Sequence, residues 1–255
     1  MVNYYNSKYL TDNDITIPFK SYGFQYGYGV FTSLRTAQGE IPFLDEHLNR
    51  LKQQTKKLHI EFPNLNYREI ITQLIARNSN SDLRLKISLF IDENLQTNTL
   101  ITAMPFIENN TPKEIIIIPQ HYSKSFTREI KTLNYLENVF WANQVKKTSF
   151  NDGLFLNEKS FICECCYSNI FFQKDNKLYT PKADGNILNG IIRQQIIKMF
   201  PVIEKDLHKD ELGLFEKAFT TNAVQGITII KNIEDILFNT EPISTLNKWE
   251  NGIYK

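Results

Sequence analysis

Hydrophobic residues in the first part of the chain alternate with the period of a β-strand. In residues 83–89 every second residue is leucine or isoleucine and the residues between them are charged or polar, which predicts a half-buried strand. Residues 100–106 have the composition of its partner strand, and residues 30–35 form another strand-like run. The first part of the chain therefore contains at least one antiparallel pair of strands.

Two segments between these strands have the period of a helix instead. Leucines fall on one face from Leu44 to Leu58, and Asp45 is the predicted cap of this helix. A second helix is predicted after Asn66, which is followed three residues later by a glutamate, as in a capping box. Strands combined with two helices predict a small α+β domain over residues 1–107.

A short polar segment after this domain is the predicted interdomain linker. It covers residues 108–113 and contains one proline. An isoleucine-rich strand follows at residues 114–119 and opens a larger C-terminal α/β domain over residues 114–255. Hairpins are predicted at residues 154–163 and 169–180, where short apolar runs are joined by polar turns.

Two helices are predicted in the C-terminal domain. The first follows Lys131, because apolar residues recur with helical spacing from Leu136 to Val145. The second begins at Gly190 and extends to about Phe200. Lys131 is thus expected to end an extended segment directly before a helix.

Composition and charge narrow the classes of partner. Hydrophobic residues make up 42% of the 255 residues and charged residues 22%, as in an ordinary soluble globular protein. The 29 basic and 28 acidic residues form no basic patch, so neither nucleic acid nor an anionic membrane is an expected partner. The sequence contains no signal-peptide pattern and no apolar run that could span a bilayer, which predicts a cytoplasmic location.

The three cysteines, Cys163, Cys165 and Cys166, lie close together in the sequence. An odd, clustered set is not a disulfide framework and fits a reducing compartment. Adjacent thiols on a strand point to alternate sides and the four histidines are scattered, so no metal site is predicted. Motifs of serine hydrolases, P-loop proteins and zinc metalloproteases are missing from the sequence.

The sequence contains the residue types that a site for pyridoxal 5′-phosphate (PLP) requires. Such a site needs a lysine that binds the cofactor aldehyde, a carboxylate beside the pyridine nitrogen, and phosphate ligands such as an arginine and a helix N-terminus. Lys131, Glu164, Arg50 and the helix start at Gly190 supply these types. Each alone is more often a surface charge or a packing feature, so the residue types by themselves leave the cofactor open.

The order of several short motifs resembles that of the class IV PLP-dependent aminotransferase family, which includes branched-chain and D-amino acid aminotransferases and aminodeoxychorismate lyase. The resemblance extends over nearly the whole chain. The motifs are Tyr26-Gly27-Tyr28-Gly29-Val30-Phe31, His47-Leu48-Asn49-Arg50-Leu51, Lys131-Thr132-Leu133-Asn134-Tyr135, Glu164 with Ser168-Asn169-Ile170-Phe171, and Leu188-Asn189-Gly190-Ile191-Ile192-Arg193. Each is weak alone, but their order and intervals together are specific.

The resemblance implies roles for individual residues. Lys131 matches the lysine that forms the Schiff base, Glu164 the residue that pairs with the pyridine nitrogen, and Arg50 the arginine that binds the cofactor phosphate. Ile191 and Ile192 match positions whose backbone N–H groups bind the phosphate, and Asn222 or Ala223 is expected beside it. Leu188 matches a residue that packs against the ring, and Tyr135 is expected near the cofactor hydroxyl. His47 is interpreted as a helix residue packed near the site.

The fold that the resemblance implies is fold type IV, as in D-amino acid aminotransferase. It consists of two α+β domains with the cofactor at the domain interface. A homodimer is also implied, in which loops of one subunit close the pocket of the other. The expected partner is a small-molecule amine substrate.

Departures from the transaminase pattern favour one branch of the family. Thr32 follows Phe31 where transaminases usually have glutamate, and Ala223 follows Asn222 where they usually have threonine. Both departures resemble aminodeoxychorismate lyase, which converts 4-amino-4-deoxychorismate to 4-aminobenzoate and pyruvate in folate biosynthesis. The alternatives are a branched-chain or D-amino acid aminotransferase and, from another class, a non-catalytic binding or scaffold protein on this fold.

Overall fold

The computed structural model describes residues 1–79 and 82–254, which form two compact units. The first unit contains Met1–Ile107, Ile130–Tyr135 and Asn251–Lys255, and the second contains Glu108–Glu129 and Leu136–Glu250. None of the helices in the described ranges combines the length and the apolar composition that a bilayer crossing needs.

The first unit is built on an antiparallel sheet. Its strands are β1 (Val2–Tyr5), β2 (Lys8–Thr11), β3 (Gly29–Arg35), β4 (Leu83–Ile91) and β5 (Thr97–Pro105). They lie in the order β2-β1-β5-β4-β3. The predicted strand at residues 83–89 is confirmed, since it lies within β4 and buries its leucines and isoleucines, and its predicted partner is β5.

The short helix α1 (Tyr22–Tyr26) lies beside Phe90 of β4, because a Cβ on Gly23 would meet the Phe90 side chain. The helices α2 (Leu44–Lys57) and α3 (Tyr67–Arg77) match the predicted helices and cover the opposite face of the sheet. Residues of α2 and α3 pack with every second residue of β3 and β4 in one apolar cluster, which includes Val30, Leu34, Leu44, Leu51, Ile71, Leu74, Leu85 and Ile87. The opposite face of β3 and β4 therefore carries the other set of side chains.

The two predicted helix caps have different outcomes. Asn66 accepts a hydrogen bond from the N–H of Glu69 at 3.2 Å, which confirms the start of α3. Asp45 as the cap of α2 is wrong, because α2 begins at Leu44 after Phe43, whose φ of 57° is left-handed. Asp45 instead lies in the first turn, where its charge is favourable next to the positive end of the helix.

The segment Ile130–Tyr135 returns to the first unit and runs beside β3. The N–H of Phe31 donates to the carbonyl of Lys131 at 2.8 Å, and the N–H of Leu133 donates to the carbonyl of Gly29 at 2.9 Å. The sequence placed these residues, together with 251–255, in the C-terminal domain, whereas the structure groups them with the first unit. Residues 130–135 belong to the first unit because their backbone pairs with a strand that is distant in the sequence. Hydrophobic periodicity does not reveal such pairing.

The second unit contains a larger, mixed sheet. Its strands are β6 (Lys113–Tyr122), β7 (Asp152–Asn157), β8 (Ile162–Cys165), β9 (Asn169–Lys174), β10 (Lys177–Thr180), β11 (Val202–Glu204), β12 (Lys217–Asn222), β13 (Gly226–Ile233) and β14 (Ile236–Leu237). Their order is β11-β10-β9-β12-β13-β6-β7-β8, and β14 pairs with β13. The antiparallel pairs β7-β8 and β9-β10 confirm the two predicted hairpins.

The helices of the second unit are α4 (Leu136–Val145) and α5 (Ile191–Met199), and α6 (Ser244–Tyr254) begins in the second unit and ends in residues of the first. The first two confirm the helices predicted after Lys131 and from Gly190. Apolar clusters lie on both faces of the central strands, since Leu154 of β7 belongs to one cluster and its neighbour Phe155 to another.

Candidate functional site

Lys131 has a fixed position in the first unit, because the sheet holds its backbone. Its Nζ lies 3.3 Å from Tyr135 Oη and 4.6 Å from the centre of the Phe31 ring. The rings of Phe31 and Tyr135 meet edge to face with their centres 5.4 Å apart. The ammonium group is thus held among a hydroxyl and aromatic rings instead of extending into solvent.

Arg50 of α2 is a partly buried cation whose Nε has no hydrogen-bond partner among the described residues. One of its terminal nitrogens donates to Thr32 Oγ1 at 2.7 Å. Protein atoms surround the guanidinium closely, and this desolvation lowers the pKa of Arg50 to about 10. A desolvated cation with a free donor is suited to an anion, and phosphate fits the guanidinium geometry.

His47 completes a short hydrogen-bonded chain with these two residues. Its Nδ1 lies 2.6 Å from Thr32 Oγ1. Arg50 donates to the same oxygen, so the Thr32 hydroxyl links the guanidinium to the imidazole, whose buried Nε2 has no hydrogen-bond partner among the described residues. Burial, followed by the charges of Arg50 and Lys131, holds the pKa of His47 well below its usual value, so the ring is neutral.

We expect His47 to make the stability of the protein depend on pH below about 6.5, by up to about 1.4 kcal/mol per pH unit. In the unfolded chain the imidazole takes up a proton near its ordinary pKa, whereas in the folded protein it stays neutral. The unfolded state therefore binds more protons, and stability is lost as the pH falls. Urea unfolding between pH 8 and 5 measures this slope, and His47→Gln should remove it; an unchanged slope would contradict the assignment.

Glu164 on β8 is fixed in the second unit by two hydrogen-bond donors. Its Oε2 accepts from the backbone N–H of Leu188 and from Asn169 Nδ2, both at 3.2 Å. Asn169 also donates to the carbonyl of Leu188 at 2.7 Å. The sequence assigned no individual role to Asn169, although a buried amide at the start of an apolar strand is the signal that could have identified it.

The start of α5 offers backbone donors in the same unit. Gly190 precedes the helix without a side-chain cap, so the N–H groups of Ile191 and Ile192 have no acceptor within the helix. Both isoleucine side chains are buried. The positive end of the helix and its open N–H groups together favour a bound anion such as phosphate.

Replacing Gly190 by alanine is expected to destabilise the protein by about 1–3 kcal/mol. A Cβ at Gly190 would lie 2.2 Å from Asn169 Oδ1, so the amide that holds Glu164 must move. Urea unfolding measures the effect. Gly213→Ala is the matched control, since a Cβ there meets nothing within 4 Å, and equal effects of the two substitutions would contradict the prediction.

Asn222 closes the turn between β12 and β13. Its Oδ1 accepts from the N–H groups of Val224 at 2.9 Å and of Gln225 at 2.8 Å. The turn also carries two further hydrogen-bond donor groups, the side-chain amide group of Asn222 and the backbone N–H of Ala223. Thr221, to which the sequence assigned no role, adds a buried hydroxyl without a hydrogen-bond partner among the described residues.

The thiols of Cys163, Cys165 and Cys166, beside Glu164 in the sequence, are in environments that make them unreactive. Burial raises the pKa of Cys163 and of Cys166 to about 12, and it raises the pKa of Cys165 as well. Protonated thiols are poor nucleophiles and poor metal ligands. In the part of the chain that the structure describes, no group of histidine, cysteine, aspartate and glutamate side chains could hold a metal ion.

The residues singled out in the sequence thus fall into two groups. In the first unit, Lys131 contacts Tyr135, and Arg50 is bonded to Thr32 on the strand beside them. In the second unit, Glu164 is bonded to Leu188, directly before the start of α5. Each group contains a side chain or helix end that fits part of a phosphorylated pyridine.

Comparison with known proteins gives a consistent result for the whole chain. The family model described as "Amino-transferase class IV" matches residues 29–233. Aminodeoxychorismate lyase of Bacillus subtilis (strain 168) is 27% identical over 93% of this chain and 88% of its own length. D-alanine aminotransferase of Listeria monocytogenes is 26% identical over 91% of this chain and 87% of its own length.

A solved structure has the same fold. It is a hypothetical aminotransferase from Mycobacterium tuberculosis in its PLP-bound form, with a TM-score of 0.90 and 16% identity. The superposition covers 100% of this chain and 99% of that chain.

Proposed function

The chain belongs to the class IV aminotransferase family, and on that premise we propose that it is an aminodeoxychorismate lyase. Its fold is fold type IV, and its cofactor is PLP. The proposed reaction converts 4-amino-4-deoxychorismate to 4-aminobenzoate and pyruvate. The similarity to the B. subtilis lyase over 93% of this chain supports it.

Two features of the chain fit the cofactor phosphate. The free Nε of Arg50 and the uncapped start of α5 are the anion-binding groups described above. We propose that Arg50 and the backbone N–H groups of Ile191 and Ile192 bind the phosphate. The turn at Asn222 and Ala223 would add a further donor.

The remaining assignments concern the cofactor ring. We propose that Glu164 pairs with the pyridine nitrogen and that Leu188 packs on the ring. The two hydrogen bonds that Glu164 accepts at one oxygen support its role, because they fix the orientation of the carboxylate. Tyr135 would approach the cofactor hydroxyl, and Lys131 would bind the aldehyde.

When bound, PLP supplies an electron sink that makes the proton on the amine-bearing carbon of the substrate acidic. Lys131 would remove that proton at Nζ, and Tyr135, 3.3 Å away, would keep the amine oriented. The carbon–oxygen bond to the enolpyruvyl group then breaks, its electrons leave with the enolate, and a proton returns to the methylene carbon to give pyruvate. The ring becomes aromatic, and no second substrate is consumed.

Thr32 is the observation that carries the choice of a lyase. A glutamate at this position would place a carboxylate beside Arg50. Thr32 instead presents a neutral hydroxyl, 2.7 Å from Arg50 and 2.6 Å from His47, and Arg50 has no carboxylate partner in the part of the chain that the structure describes. This arrangement departs from the transaminase pattern at the residue next to Phe31, whose ring contacts Lys131.

A PLP-dependent aminotransferase is the second candidate, favoured by the similarity to the D-alanine aminotransferase of L. monocytogenes. The two activities differ in their requirement for a second substrate. Purified holoenzyme given 4-amino-4-deoxychorismate alone should release pyruvate and 4-aminobenzoate in equal amounts. Turnover that requires both an amino donor and a 2-oxo acid would reject the lyase and support the aminotransferase.

A further inference from the structure

A buried hydroxyl lies on the face of β3 that packs against α2. Thr32 stands between Val30 and Leu34 in the strand alternation, so the three side chains point to the same face, and the other two belong to the apolar cluster. Thr32 is fully buried there. A hydroxyl in apolar surroundings needs hydrogen-bond partners, and α2 supplies two of them.

These two partners are His47 and Arg50. They are three residues apart on α2, so their side chains leave the helix on the same face. His47 Nδ1 lies 2.6 Å from Thr32 Oγ1, and Arg50 Nη2 donates to the same oxygen at 2.7 Å. The hydroxyl thus connects the imidazole to the guanidinium, and any movement of the hydroxyl is passed on to Arg50.

The imidazole of His47 can hold the hydroxyl without adding a second charge beside Arg50. The residue is 1% exposed, and burial, followed by the charges of Arg50 and Lys131, keeps its pKa well below the usual value. A neutral ring does not repel the neighbouring guanidinium, whereas an imidazolium at the same distance from Thr32 would. The ring therefore acts as an uncharged support for the hydroxyl.

Arg50 depends on this support because little else fixes its orientation. Its guanidinium is desolvated, and its Nε has no hydrogen-bond partner among the described residues. A threonine hydroxyl can occupy more than one rotamer, and the contact with His47 selects the rotamer that also accepts from Arg50. Charge-assisted hydrogen bonds from a guanidinium to an anion depend on its orientation as well as on its charge.

We propose that His47 is a positioning residue, which fixes the Thr32 hydroxyl and thereby holds the Arg50 guanidinium in the orientation that binds the cofactor phosphate. This inference rests on the proposed function, in which Arg50 is a phosphate ligand. His47 acts through Thr32 and not by touching the cofactor, because its Nδ1 faces Thr32 and its Nε2 is shielded from solvent. Groups that orient a ligand residue in this way commonly determine how tightly that residue binds.

Titration of the apoprotein with PLP and with pyridoxal tests the proposal without turnover. The two aldehydes differ by the phosphate group, so a change in the ratio of their dissociation constants between variants reports contacts with the phosphate. Equilibrium dialysis measures both constants. His47→Leu should lower the preference for PLP by about fivefold or more, while the affinity for pyridoxal changes by less than about twofold.

Control variants separate positioning from packing. His47→Asn places an amide that can donate or accept where Nδ1 lies, and it should keep the preference within about twofold of that of the wild-type protein. Gln54→Leu is the matched control, because it removes another buried polar side chain from α2, one turn after Arg50, and should leave the preference unchanged. Thermal unfolding of each apoprotein shows whether the variant is folded.

A double-mutant cycle tests whether His47 acts through Thr32. Thr32→Val removes the hydroxyl, and Thr32→Ser retains it and should bind PLP as the wild-type protein does. When the hydroxyl is missing, His47 has nothing to position, so adding His47→Leu to Thr32→Val should lower the preference for PLP no further. Losses that add in the double variant would overturn the proposed route through Thr32.

Arg50→Met shows which assignment is at fault if the expected result does not appear. A preference that falls in Arg50→Met but not in His47→Leu would overturn this inference and leave Arg50 as the phosphate ligand. A preference that is unchanged in Arg50→Met would reject the phosphate assignment and this inference with it. Pyruvate release from 4-amino-4-deoxychorismate tests the lyase separately, because the binding ratio requires no substrate.

Discussion

Lys131→Ala is expected to remove the visible absorbance of the holoenzyme and to lower turnover by roughly ten-thousand-fold. The substitution deletes both the amine that would hold the cofactor aldehyde and the base that would move the substrate proton. The backbone hydrogen bond between Phe31 and residue 131 does not involve the lysine side chain, so the fold should persist. Absorbance spectra, pyruvate release and circular dichroism measure the three effects.

Two control variants test whether the effect of Lys131→Ala comes from the loss of this particular amine. Lys146→Ala removes an exposed lysine at the end of α4 and should leave absorbance and turnover unchanged. Lys131→Arg keeps a positive charge but provides no amine for the aldehyde, and it should resemble Lys131→Ala. A coloured, active Lys131→Ala protein would contradict the assignment, and a wild-type protein that stays colourless with PLP would favour the non-catalytic scaffold.

Arg50→Met is expected to weaken PLP binding by about a hundredfold or more. The guanidinium would supply charge-assisted hydrogen bonds to the phosphate, and its Nε has no other partner among the described residues. The apoprotein should lose little stability, because the substitution also removes a desolvated charge whose pKa is lowered to about 10. Equilibrium dialysis of PLP and thermal unfolding of the apoprotein measure these effects.

Arg68→Met controls for the loss of one positive charge from the same unit. Arg68 is exposed and its ion pair in the described ranges is with Asp45 at 3.3 Å, so its loss should change neither PLP binding nor apoprotein stability measurably. Wild-type PLP affinity in Arg50→Met would show that the phosphate binds elsewhere. A large loss of apoprotein stability would assign Arg50 a structural role through Thr32.

Local patterns predicted the elements of this fold well. Alternation and helical spacing depend on which side of each element is buried, and that information is present in consecutive residues. The strand β4, the start of α3 at Asn66 and both hairpins of the second unit were predicted for this reason. The cap of α2 was not, because the left-handed conformation of Phe43 has no signal in the residue type.

The same local patterns could not predict which side chains of different elements contact one another. The chain of Thr32, His47 and Arg50 joins β3 to α2, and only the folded backbone brings the hydroxyl within 2.7 Å of the guanidinium. Lys131 was identified through a family resemblance and β3 through its strand-like sequence, yet the pairing of the Lys131 backbone with β3 was not predicted. Asn169 was part of a quoted motif, but its bonds to Glu164 and Leu188 depend on pairing that periodicity cannot show.

The late return of the segment Ile130–Tyr135 has a consequence for synthesis of the chain on the ribosome. β3 is the last strand in the order of its sheet, and residues 130–133 supply the backbone partners on its outer side. A nascent chain that ends at Ile107 has every strand of the first sheet but leaves that outer edge bare. Bare strand edges recruit other strands, so a truncated product ending there should aggregate.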